Sequence, residues 1–147
     1  MAPLGDNDVW AVGGTAAYSG HALIGHALIE HWNGARWRIV ESAPIAKSGF
    51  EALVGLEDVA ATSSSDAWAV GGEQFDGGSQ TLIEHWDGKT WTRVDSPNRA
   101  RGRNHLYAVA AASPSAAWAV GDSNNDVPLI LGWDGLRWQT ISLVSSG

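Results

Sequence analysis

The sequence predicts an all-β fold made of three copies of one strand-rich unit. Two recurring segments and the placement of every tryptophan carry that expectation. Asp8-Val9-Trp10-Ala11-Val12-Gly13-Gly14 returns as Asp66-Ala67-Trp68-Ala69-Val70-Gly71-Gly72 and as Ala116-Ala117-Trp118-Ala119-Val120-Gly121-Asp122. Leu28-Ile29-Glu30-His31-Trp32-Asn33-Gly34-Ala35-Arg36-Trp37 returns as Leu82-Ile83-Glu84-His85-Trp86-Asp87-Gly88-Lys89-Thr90-Trp91 and as Leu129-Ile130-Leu131-Gly132-Trp133-Asp134-Gly135-Leu136-Arg137-Trp138. All 9 tryptophans of the 147 residues lie in these segments. A fixed period near 50 residues marks a repeat architecture, with copies at about 1–49, 50–99 and 100–147 of a single repeat domain.

The first copy opens on a strand around Trp10. Aligning Asp8 with Asp66 leaves only Ala2-Pro3-Leu4 where an earlier strand should end, so this copy is expected to lack its first strand. His21-Ala22-Leu23-Ile24-Gly25 and His26-Ala27-Leu28-Ile29-Glu30 read as a small duplication that lengthens a loop. Asn33-Gly34 predicts a tight hairpin, because two residues at positive φ suit a primed turn. Trp32 and Trp37 should then face each other across the hairpin, a pair worth ~0.5–1 kcal/mol. Residues 43–56 contain Pro44, Gly49 and Gly55 and read as a loop feeding a strand.

The second and third copies carry the element that the first is missing, Leu56-Glu57-Asp58-Val59-Ala60-Ala61-Thr62-Ser63 and Leu106-Tyr107-Ala108-Val109-Ala110-Ala111-Ala112-Ser113. The Trp68 and Trp118 strands follow. In the Trp68 strand both faces are apolar, Trp68 and Val70 against Ala67 and Ala69, so the strand should be covered on both sides. Asp87-Gly88 and Asp134-Gly135 repeat the hairpin signal.

Composition narrows the function classes. The formal net charge is −7, which argues against nucleic acid, and Cys is 0, which leaves no disulfide and no thiolate metal site. No apolar run approaches the ~20 residues of a membrane-spanning helix, so no membrane partner is expected. The amino-terminal residues have neither the basic nor the apolar region of a secretion signal.

A [DA]-x-W-A-V-G strand, a W-[DN]-G-x-x-W hairpin and four strands per unit resemble the repeats of bacterial β-propellers, most closely tandem "LIEHWDG" repeats of predicted secreted proteins. Asp87-Gly88-Lys89-Thr90-Trp91 is more distantly similar to the Asp-box turn of sialidases, and Trp68-Ala69-Val70-Gly71 to photosystem II assembly-factor propellers. The resemblance implies three blades, each an antiparallel sheet, and an extracellular setting. Propellers close with about 4–8 blades, so three are expected to close as a homo-oligomeric ring, a homodimer giving six. A β-trefoil is the alternative, since three units and twelve strands are also its arithmetic.

Two kinds of residue stand out as binding candidates. Trp37, Trp91 and Trp138 follow the hairpin turns and could stack on sugar rings, whereas Trp10, Trp68 and Trp118 read as core. Arg99, Arg101 and Arg103 form a basic cluster that could receive an anion. Glu30-His31 and Glu84-His85 lie next to each other on strands and therefore point to opposite faces, which suits a satisfied hydrogen bond better than a shared reaction centre. His21, His26 and His31 stand five apart, a spacing that fits no metal site. No catalytic motif, metal site or cofactor is expected. The functional expectation is a non-catalytic, lectin-like module that assembles with itself, the alternative being a scaffold whose one activity is assembly. A glycosidase-like enzyme ranks last.

Overall fold

A computed structural model describes residues 1–20, 22–44, 53–99, 102–124 and 126–142. The described chain is all-β: twelve strands in three four-stranded antiparallel sheets, with no helix and no closed barrel. The first sheet holds β1 (Ala2–Gly5), β2 (Asp8–Ser19), β3 (Ala22–Trp32) and β4 (Trp37–Val40). The second holds β5 (Leu53–Ser63), β6 (Asp66–Phe75), β7 (Gly78–Trp86) and β8 (Trp91–Arg93). The third holds β9 (Asn104–Ser113), β10 (Ala116–Ser123), β11 (Val127–Trp133) and β12 (Trp138–Thr140). Each sheet is a simple meander in chain order. The trefoil alternative is thereby corrected, because its strands would have to pair around a common barrel instead of within separate units.

The expected gap in the first sheet is corrected as well. β1 is present but short: it pairs Ala2 with Trp10, Pro3 with Val9 and Gly5 with Asp8, and among the described residues no strand pairs with β2 on that side beyond Trp10. β5 and β9 run the full length of their neighbours, from Leu53↔Gln74 to Ser63↔Asp66 and from Asn104↔Ser123 to Ser113↔Ala116. The His21–Glu30 duplication lengthens a hairpin, not a loop: β2 and β3 stay in register from Val9↔Trp32 to Ser19↔Ala22. His21 itself and residues 45–52 lie outside the described residues.

The hairpin turns depart from the primed type. In each, only the glycine has positive φ, +88° at Gly34, +94° at Gly88 and +92° at Gly135. The residue before it works through its side chain. Asp87 Oδ1 accepts the amides of Lys89 (2.8 Å) and Thr90 (2.9 Å), Asp134 Oδ1 those of Leu136 and Arg137 (both 2.9 Å), and Asn33 Oδ1 those of Ala35 and Arg36 (both 3.1 Å). These are Asx-type turns closing four-residue loops.

Packing follows from the alternation along β6. Trp68 and Val70 face the third sheet, while Ala67 and Ala69 face the first, and all four are buried. The small side on each sheet receives the tryptophan of the sheet before it. Two cores result. One joins Trp10 and Ile29 to Leu56, Ala67, Ala69, Leu82 and Trp91; the other joins Trp68 and Ile83 to Leu106, Ala117, Ala119, Leu129 and Trp138.

Candidate functional site

The tryptophans form one arrangement, made twice. Trp10 lies 5.0 Å from Trp86 and 5.2 Å from Trp91 by ring centroids, the second contact edge to face at 89°. Trp68 lies 4.8 Å from Trp133 and 5.2 Å from Trp138, at 87°. Edge-to-face geometry sets the positive ring edge against the negative face. The hairpin pairs themselves meet at 5.8–5.9 Å, Trp32 with Trp37, Trp86 with Trp91 and Trp133 with Trp138, as the spacing predicts. The first member of each pair is anchored: the indole N–H groups of Trp32, Trp86 and Trp133 donate to the carbonyls of Asp6, Ser64 and Pro114 at 3.0–3.1 Å.

Behind the inserted tryptophan, Trp10 or Trp68, sits a polar pair. His31 Nε2 meets Asp8 Oδ1 at 2.7 Å and His85 Nε2 meets Asp66 Oδ1 at 2.7 Å, each imidazole 4.3 Å from the Trp10 or Trp68 ring. Thr62 Oγ1 also donates to Asp66. Glu84, on the opposite face from His85, accepts the Ser42 hydroxyl (2.7 Å) and the Ala43 amide (2.9 Å), so it clamps the segment leaving the first sheet onto the second. Burial raises the Glu84 carboxyl above its ordinary range, and those two hydrogen bonds and the Arg93 charge oppose the rise. The third copy replaces the whole set, with Ala116 for the aspartate, Gly132 for the histidine and Leu131 for the glutamate. Ile141 fills the space at Gly132, beside Trp118.

The sugar-stacking candidates separate sharply. Trp91 and Trp138 are each 3 % exposed, so neither offers a ring face to a ligand, and that expectation is corrected. The tryptophan of the preceding sheet already covers them. Trp37 is 43 % exposed, since among the described residues no sheet packs on that face of the first. The expectation that Trp118 is core is corrected too: it is 45 % exposed, against 2 % for Trp10 and 1 % for Trp68. Position in the series decides the difference. Trp118 has the same local sequence as Trp68, but among the described residues no sheet packs over it.

Arg99 is exposed, and its backbone amide is tied to Asn104 Oδ1 at 2.9 Å. Arg103 donates to the Tyr107 hydroxyl at 2.6 Å and pairs with Asp122 Oδ1 at 3.7 Å, with its side chain largely exposed. Arg101 lies outside the described residues. Tyr107, which the sequence did not mark as a site residue, occupies a bulge: Leu106 pairs with Gly121 and Ala108 with Val120, leaving Tyr107 as the extra residue. Glu57 is its counterpart in β5, between Leu56↔Gly71 and Asp58↔Val70. Bulges re-aim side chains. Here both bulged residues line a cavity of about 1130 Å³, in which Glu57 meets His105 Nε2 at 3.1 Å. The signal for this cluster was the equivalence of Leu56-Glu57-Asp58 and Leu106-Tyr107-Ala108, but sequence alone does not show a bulge. Among the described residues no group of His, Asp and Glu could hold a metal ion. No protein-family model and no curated protein matches this chain.

Proposed function

We propose that this chain is three consecutive blades of a β-propeller and that its activity is non-catalytic self-assembly, two copies completing a six-bladed ring. One observation carries the reading. Among the described residues two halves of the contact made twice inside the chain are open: Trp118 is exposed on the third sheet, and Trp37 of the Trp32–Trp37 pair is exposed on the first. Trp10 and Trp68 each bury themselves against such a pair. The faces differ in kind, so the contact runs head to tail, and head-to-tail contacts give closed rings when the rotation closes. Val120 and Ile141 surround Trp118, and Ile39 flanks Trp37, which supplies apolar area on both sides. Val9 narrows the receiving face by standing where the other sheets have Ala67 and Ala117.

Glycan stacking on Trp37 and assembly through Trp37 compete for one ring face, so only the unassembled chain would offer that face to a sugar. Light scattering tests the proposal. The expected mass is twice the 15.5 kDa of one chain, falling to a single chain in Trp118→Ala and in Trp37→Ala. A monodisperse single chain for the unaltered sequence overturns it.

A further inference from the structure

We propose that Asn33 is a self-modification site: attack by the Gly34 backbone nitrogen expels its side-chain amide, and the carboxylate left behind gives the first hairpin the turn that the other two already have. The equivalent residues there are Asp87 and Asp134. The asparagines of the chain are Asn7, Asn33, Asn98, Asn104, Asn124 and Asn125, and only Asn33 is followed by glycine. With no Cβ beside it, a glycine nitrogen is the least shielded attacking group the backbone offers.

The turn presents the side-chain carbonyl for that attack. Asn33, Gly34, Ala35 and Arg36 are all exposed, so water and hydroxide reach the loop. Asn33 Oδ1 accepts the amides of Ala35 and Arg36, both at 3.1 Å. When the Gly34 nitrogen adds to Cγ, negative charge collects on that oxygen, and two backbone donors are already aimed at it. The same two donors hold Asp87 and Asp134, where they keep each carboxyl below its ordinary range and so ionised at neutral pH. An ionised carboxylate is a poor electrophile. Among the three turns the reaction is therefore confined to the first.

The step balances with water alone. Hydroxide removes the Gly34 N–H proton, the N–Cγ bond forms, and the Cγ–Nδ2 bond breaks as Nδ2 takes up a proton and leaves as ammonia. Water then opens the cyclic succinimide. Opening at Cγ gives aspartate; opening at the main-chain carbonyl gives isoaspartate, which lengthens the backbone between Trp32 and Trp37 by a methylene. The aspartate suits the turn better than the asparagine it replaces. Its hydrogen bonds from Ala35 and Arg36 become charge-assisted, and the sister carboxylates draw the same amides to 2.8–2.9 Å, against 3.1 Å at Asn33.

The test ages the whole folded chain in oxygen-18 water, in mildly alkaline and in mildly acidic buffer, and follows each asparagine by peptide mass spectrometry. Asn33 should gain a heavy oxygen at least tenfold faster than the other asparagines, faster in the alkaline buffer because the attacking nitrogen must lose its proton. The product should contain both aspartate and isoaspartate. Gly34→Ala would block the attack, but its Cβ would meet the Asn7 side chain at 2.7 Å and its φ is +88°, so the variant can misfold. Asn33→Asp is the second variant, expected to be inert to ageing and to melt, in dilute solution, at a higher temperature than the unaged chain. An Asn33 that stays intact in the folded chain, under conditions that convert it in a capped Leu28–Trp37 peptide, overturns the proposal. So does aspartate without isoaspartate, which would mean direct hydrolysis and no ring, and so does a lower melting temperature for Asn33→Asp, which would mean that the turn rejects the carboxylate.

Discussion

At the scale of single residues, Trp68 and Trp118 show how little local sequence says about burial when a chain is built from repeats. Both sit in Ala-Trp-Ala-Val-Gly, yet one is 1 % and the other 45 % exposed. Trp68→Ala removes a ring packed on Trp133, Trp138 and His85, and should destabilise the single chain by ~3–5 kcal/mol in urea unfolding. Trp118→Ala, measured the same way at a concentration where chains are separate, should cost under ~1 kcal/mol. Equal losses would mean that Trp118 is already covered. The Asp66–His85 pair makes a second residue-scale prediction, because the third copy shows a tolerated joint replacement. Asp66→Ala and His85→Gly each leave a partner unsatisfied, whereas the double variant matches Ala116 and Gly132. Its loss should fall short of the sum of the single losses by ~1–2 kcal/mol in a double-mutant cycle. Strict additivity would show that the two side chains act independently.

At the scale of elements, the hairpins were legible and the inner strands only partly so. Trp-(Asn/Asp)-Gly-x-x-Trp fixed the turn, its loop length and the facing of its two rings, because all three follow from local chemistry. The turn type was misjudged. An aspartate at that place could supply positive φ or a side-chain acceptor, and only coordinates separate the two. β1 was missed because four residues are too few to show a period, and the bulges at Glu57 and Tyr107 were invisible because an inserted residue leaves no compositional mark. For the same reason the cavity lined by Glu57 and Tyr107 was not legible, whereas the tryptophan interfaces were. The Asx turns also predict an acid response. Backbone amides hold the Asp87 and Asp134 carboxyls below their ordinary range. A carboxylate whose pKa is depressed by folding stabilises above its unfolded value near 3.8 and loses that contribution as pH falls through the folded value. Asp87→Asn with Asp134→Asn should therefore flatten the stability profile below about pH 4 and leave its neutral portion parallel to the original. Glu84 has the opposite sign. Its raised pKa means that stability falls as pH climbs from the unfolded value of 4.5 through the folded one, and Glu84→Gln should remove that decline.

At the scale of the whole molecule, the three sheets share one design but not one environment, and stability should be distributed accordingly. β6 is buried at eight consecutive residues, Asp66 to Glu73, because sheets cover both of its faces. β10 alternates between buried and open positions, with Ala117 and Ala119 covered and Trp118 and Val120 exposed, since only one of its faces has a neighbour. β2 is open from Gly14 onward. Backbone opening is hardest where burial is greatest, so native-state hydrogen exchange on dilute chain should be slowest in β6 and β7 and faster in β10, β11 and the distal half of β2. Raising concentration separates two readings of that order. If the end faces meet head to tail, β10 and β11 gain a covering sheet and their exchange should slow toward that of β6, together with β3 and β4 beside the Trp32–Trp37 pair. The distal half of β2 should stay fast, because face-to-face contact adds no backbone partner to the edge that, among the described residues, has none. Uniform slowing across all three sheets would instead indicate edge-to-edge association. A profile that does not change with concentration would leave the exposed tryptophans without a covering copy.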